Sequence, residues 1–165
     1  MSKRLLVLLT VVLMLAAFSV AQAQQPTVSG ASNFVLTEAQ INADFRIPST
    51  ATRRISNLDV DVKEDGVYVS FQVTVNRNGT SNTYNIIAIL IGLFDEPRIT
   101  QLELQNAVNR NSVVPSSVRD EVSTMLLRSW NNYEATVLVD LPVDQVPTNG
   151  IIMRDGGICN PRWGC

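Results

Sequence analysis

Chemistry in this chain has to come from carboxylates, arginines and two cysteines, because the sequence contains no histidine. Three acidic pairs stand out. Asp59 and Asp61 sit two residues apart, which puts both carboxylates on one strand face, as a glycosidase or a calcium site would want. They alternate with Leu58, Val60 and Val62, however, and Lys63 continues their face. That is the pattern of a solvated surface. Asp95-Glu96 closes an apolar run just ahead of Pro97, where strand ends carry active residues and acidic residues also make turns. Asp120-Glu121 falls near the start of an expected helix, and the helix dipole accounts for it.

Nucleophilic catalysis lacks its partner. Ser-His and Cys-His pairs need a histidine, and a Ser-Lys arrangement would fall to Lys63, on the polar side of a strand beside Asp61. There is no G-x-S-x-G, no G-x-G-x-x-G and no phosphate-binding loop. Asn78-Gly79-Thr80 matches a glycosylation sequon but already suits a turn. The chain is expected to be non-catalytic, with acid-only hydrolysis through Asp95 and Glu96 as the remaining enzymatic alternative.

The cysteines close the chain as Cys159-Asn-Pro-Arg-Trp-Gly-Cys165. Two cysteines without histidine are too few to hold a metal, and a redox pair more commonly reads C-x-x-C. A structural disulfide is expected, worth only ~2 kcal/mol because its loop is short. No metal and no cofactor is expected.

That bridge needs an oxidising compartment, and the N-terminus supplies the route. Lys3-Arg4 precede an apolar run from Leu5 to Val20, and Ala21-Gln22-Ala23 matches the small-x-small cleavage pattern. The apolar run is shorter than the ~20 residues of a spanning helix. With no cysteine just after it, lipidation is not expected either. Residues 1–23 therefore read as a signal peptide and the protein as exported, to the exterior, the periplasm or the cell envelope. The remaining 142 residues suit one domain, with 11 basic and 15 acidic residues. A net charge of −4 without a basic run leaves no footprint for nucleic acid or an anionic membrane.

The elements that would position these residues follow from periodicity. Residues 24–35 read as a flexible leader, 36–158 as a single α+β domain, and 159–165 as a cysteine loop. Thr37 with Gln40 forms a capping box and Leu36 with Ile41 a hydrophobic staple, so a helix starts at about Glu38 and stops by Pro48. Leu58 to Lys63 and Val67 to Asn76 alternate as an antiparallel hairpin, and Asn78-Gly79 makes a second turn. Ile86 to Phe94 is apolar throughout, so both of its faces need cover. Ile99 to Val108 reads as a fourth strand, with Leu102, Leu104 and Val108 on one face. A helix capped by Ser117 follows, burying Val118, Val122, Met125, Leu126 and Ser129. Ala135, Val137, Val139 and Leu141 alternate as a fifth strand, and Asn149-Gly150 turns into Ile151-Ile152-Met153. The order predicts an antiparallel, curled sheet of five to six strands packed on two helices.

An export signal, Leu36-Thr37-Glu38-Ala39-Gln40-Ile41-Asn42, alternating strands, a late amphipathic helix and a Pro-marked segment from Val137 to Pro142 together form a pattern. It resembles small bacterial envelope proteins of the tubular lipid-binding type, distant cousins of the bactericidal/permeability-increasing protein fold. The resemblance implies a curled sheet wrapped around a long helix, with an apolar tunnel for acyl chains. This chain departs from it in its short expected helices and its cysteine loop. The apolar surplus of the 86–94 run and the second helix fits either a closed core or a core with a groove. The expected function is binding of a lipid or other apolar molecule between sheet and helix, through Ile87, Ile89, Ile91, Leu93, Met125 and Trp130. The parity of the strand facing such a ligand stays open. The alternative is a structural or interaction protein of the envelope, its apolar strand covered by a partner protein. Oligomeric state is not legible in the residues.

Overall fold

The computed structural model describes residues 34–141 and 151–160. The elements run β1 (Phe34–Thr37), α1 (Glu38–Asp44), β2 (Arg53–Lys63), β3 (Gly66–Arg77), β4 (Thr80–Ile91), β5 (Arg98–Asn106), α2 (Ser116–Asp140), β6 (Ile152–Arg154) and β7 (Gly157–Cys159). This is an α+β arrangement with two antiparallel sheets in place of the single sheet expected. One is β2-β3-β4-β5 in sequence order, and the other is β1-β7-β6. Phe34 and Val35 belong to β1, not to the flexible leader. The signal peptide at 1–23, the Asn149-Gly150 turn and Cys165 lie outside the described residues.

The larger sheet follows its period-2 pattern. Val67, Val69, Phe71, Val73 and Val75 are buried, and Tyr68, Ser70, Gln72 and Thr74 lie half-buried on the other face. Asn78 and Gly79 both have positive φ, 50° and 76°, as a type I′ turn requires, and Arg77 pairs with Thr80. β5 ends two residues before Val108. The Asn106 side chain accepts from the backbone N–H groups of Val108 and Asn109, which turns the chain away and leaves Val108 93% exposed.

Side chains of α1 seal one edge of this sheet. The capping box and staple form as expected, with Leu36 and Ile41 both buried. The Asn42 amide then clamps Val60 of β2, accepting from its N–H at 2.8 Å and donating to its carbonyl at 2.6 Å. Glu38 accepts from the Val62 N–H at 3.0 Å, and the Val62 carbonyl accepts from the Gly156 N–H. Edge groups that would otherwise stay unpaired are thereby used. The helix ends at Asp44, ahead of Pro48, with the Phe45 N–H bonded to the Ile41 carbonyl.

The largest correction concerns residues 135–141. Their alternation predicts a strand, yet they continue α2, which is 25 residues long. Tyr133, Glu134 and Val137 extend the stripe of Val118, Val122, Met125, Leu126, Ser129 and Trp130 at helical spacing, and Val139 is left 84% exposed. Burying two large aromatic residues on a helical stripe outweighs a short run of alternating valines. The expectation of short helices is corrected for α2 only, since α1 has seven residues. Ser117 is also not the cap: Pro115 occupies that position, with no side-chain bond.

The inner face of the larger sheet, both helices and Ile158 of β7 share one buried apolar cluster.

Candidate functional site

The six residues expected to line a ligand site fall on two sides of the sheet. Met125, Trp130 and Leu93 are 7%, 0% and 2% exposed and belong to the core. Beside them in that cluster lie Ile86, Ala88 and Leu90 of β4, so the space between sheet and helix is occupied by the chain's own side chains. Ile87, Ile89 and Ile91 have the opposite parity and point away from α2, with Ile87 48% exposed. Leu93 regains the core because Gly92 and Phe94 take positive φ, 73° and 61°. At Gly92 a Cβ would lie 2.5 Å from the Glu96 carbonyl oxygen, so only glycine fits. Asp95 and Glu96 stand exposed on this loop.

Glu134 ties the loop to α2. Its Oε1 accepts from the Phe94 N–H at 2.9 Å and from Trp130 Nε1–H at 2.6 Å. Burial raises its carboxyl above the ordinary range, and the two donors pull it back in part. A buried glutamate is thus matched by one buried and one part-buried donor.

On the same helix, a second row faces outward. Asp120, Thr124, Arg128, Asn132, Thr136 and Asp140 recur every four residues, so consecutive members are neighbours on the helix surface while the row winds around it. Opposite them runs the segment after α1. Phe45 anchors it, packing edge-on against Trp130 at 5.0 Å and Tyr133 at 5.6 Å between ring centroids. Ile47 is buried behind it, and the Ser49 hydroxyl accepts from the Ile55 N–H.

Between this segment and the helix lie two adjoining recesses. One, of about 630 Å³, is lined by Pro48, Thr50 and Arg53 facing Asp120, Glu121, Thr124, Met125, Arg128, Ser129 and Asn132. The other, of about 470 Å³, is lined by Asp44, Arg46 and Pro48 facing Ser129, Asn132, Tyr133, Thr136, Val137 and Asp140. They share Pro48, Ser129 and Asn132 and so form one groove. From Asp120 to Asp140 the helix rises roughly 30 Å.

Two residues that line the recesses each carry a buried polar atom with no hydrogen-bond partner among the described residues, Arg53 its Nε and Tyr133 its hydroxyl, and neither atom is reached from the open groove. Arg53 is otherwise held in place, with its Nη1 3.0 Å from Glu121 Oε1. Glu121 Oε2 takes Arg77 at 2.6 Å, and Arg77 also reaches the Ser117 hydroxyl at 3.3 Å. The helix dipole is therefore not the main account of Glu121, which bridges two arginines from the sheet. Burial, with Asp44 nearby, pushes the Tyr133 hydroxyl up to about 12, so it stays a donor at neutral pH. Arg46 turns onto the carbonyls of Asn42, Ala43 and Phe45 at the end of α1.

Arg53, Glu121, Tyr133 and Glu134 escape a reading from sequence alone. The four-residue recurrence of polar side chains from Asp120 to Asp140 is a signal present in the residues, once the helix is known to run that far.

The other acidic pairs stay on the surface. Asp61 pairs with Lys63 at 2.9 Å, and Lys63 lies 4.4 Å from the centroid of the Tyr68 ring. Cys159 is fully buried on β7 and is not a free thiol. Among the described residues no helix is long and apolar enough to cross a membrane. No family model, curated protein or solved structure matches this chain.

Proposed function

We propose that the protein is an exported, non-catalytic binding protein of the cell envelope or exterior, and that its ligand lies in the groove along α2. The observation that carries this reading is the groove itself, two adjoining recesses of about 630 and 470 Å³ between the segment after α1 and the polar row of α2. A lipid between sheet and helix would have to displace Met125 and Trp130 from the core, so the groove is the better seat. The Cys159–Cys165 bridge would pin the tail of an exported domain.

Native mass spectrometry on the full chain, expressed in an export-competent oxidising host, tests the reading. A bound small molecule is expected on the wild type and on Ile87→Asp, and is expected to vanish from Asn132→Trp, which fills the groove from an exposed position. An adduct that survives Asn132→Trp would overturn it.

A second reading rests on the outer sheet face, where Ile87 stands exposed beside Ile89 and Ile91 on a face otherwise carrying Tyr68, Ser70 and Gln72. An interaction protein would cover that stripe with a partner. An empty oligomer that Ile87→Asp dissociates would favour it.

A further inference from the structure

We propose that β5 is an open edge through which two copies of this chain pair as antiparallel strands, about a two-fold axis at Leu104. The larger sheet would then run on from one copy into the other. The proposal is independent of the groove along α2.

The two edges of that sheet are finished differently. At β2 the backbone groups of Val60 and Val62 are taken by Asn42, Glu38 and Gly156. At β5 the outward hydrogen bond found among the described residues is Arg119 Nη1 donating to the Leu102 carbonyl at 2.7 Å. The Ala107 N–H turns inward to the Thr83 carbonyl at 2.9 Å. By strand alternation, the N–H and C=O of Leu102, Leu104 and Asn106 therefore point outward. The core thins along the same edge. Ile86, Ala88 and Leu90 of β4 are buried, whereas Ile99, Leu102 and Leu104 beside them are only half-buried. An unpaired, half-apolar edge is a template for another strand.

Faces and charges select a second copy and its register. Pairing that keeps both core faces on one side must centre on a residue, here Leu102, Glu103 or Leu104. A centre at Glu103 opposes two carboxylates. A centre at Leu102 draws in Thr100, which the register with β4 skips. A centre at Leu104 uses the regular residues 102–106 and sets each Glu103 opposite Gln105 of the other copy. A cation waits there. A recess of about 330 Å³ is lined by Asn85, Ile87, Glu103, Leu104, Gln105 and Arg110, and Arg110 has no ion pair among the described residues. Glu103 of the second copy, arriving opposite Gln105, enters beside Arg110, and the two-fold axis makes that contact twice. Arg119 holds the Leu102 carbonyl that pairing needs, so it competes with the second copy.

The test is sedimentation equilibrium of the full chain from an export-competent host, between about 10 µM and about 1 mM, the range of a small transient interface. The mass is expected to climb from that of a monomer toward twice that value. Arg110 and Glu103 are both exposed, so charge reversal at either leaves the fold intact. Arg110→Glu and Glu103→Arg are each expected to hold the protein as a monomer, and the double variant to restore pairing. Arg119→Ala is expected to tighten pairing about five-fold, the effect of removing one competing hydrogen bond. A wild type that stays monomeric throughout overturns the proposal, as does a dimer that the charge variants leave unchanged. A dimer that Ile87→Asp alone dissociates overturns it in favour of the outer sheet face.

Discussion

Tyr133 and Glu134 are neighbours on one helix, almost equally buried at 8% and 6% exposure, yet their polar atoms fare differently. Glu134 accepts two hydrogen bonds from groups that have nowhere else to turn. The Tyr133 hydroxyl has none among the described residues. The first residue faces the core and the Gly92–Pro97 loop, and its polarity is used up in holding the fold. The second packs its ring against Phe45 and Trp130, and its hydroxyl is left over. Burial alone therefore does not tell a satisfied polar group from an unsatisfied one; partnership does.

Removing each member should break the comparison in opposite directions. Glu134→Ala strands the Trp130 indole N–H and the Phe94 N–H in the core. One buried and one part-buried donor without acceptors should lower stability by roughly 2 kcal/mol, read as a shift in the urea midpoint. Gly92→Ala acts on the same contact from the other side. Its Cβ would collide with the Glu96 carbonyl and displace the loop that presents the Phe94 N–H. A loss of about 2 kcal/mol is expected, with perturbed amide signals at Phe94 and Trp130. Full stability in Gly92→Ala would mean the loop tolerates displacement and that Glu134 does not depend on it.

How far the residues announce this arrangement varies along the chain. The capping box at Thr37–Gln40, the alternation of Val67–Val75 and the Asn78-Gly79 turn are local rules, and all three appear in the structure. The 86–94 run was harder, because a strand apolar on both faces carries no parity signal; Ile86, Ala88 and Leu90 took the core. The 135–141 segment failed because its valines satisfy a strand period, while the deciding contacts, Phe45 with Trp130 and Tyr133, join residues far apart in sequence. The groove failed for the same reason. Arg53 and Glu121 are 68 residues apart, and only the fold brings them together.

Tyr133→Phe sharpens the comparison with a smaller effect of opposite sign. Deleting a hydroxyl that is buried without a partner should raise stability by about 1 kcal/mol, read from the urea midpoint. A fall in stability would show that the hydroxyl is already satisfied, and the contrast with Glu134 would disappear.

The smallest effect concerns the charge on Glu134. Its folded pKa is raised above the unfolded value, so the folded protein holds the extra proton within that window. The contribution of Glu134 to stability is therefore greatest below the unfolded pKa and is lost as pH rises through the folded one. Glutamine at this position keeps an acceptor for both N–H donors and removes the buried charge. Glu134→Gln should then be at least as stable as the wild type at pH 7, with its advantage shrinking as the pH falls toward 5. Urea midpoints of both proteins at the two pH values measure this directly. A glutamine variant that is weaker at pH 7 would mean that the two charge-assisted bonds outweigh the cost of burying the carboxylate. In that case Glu134 would be held as an ion by choice of its surroundings, and its contrast with Tyr133 would be stronger still.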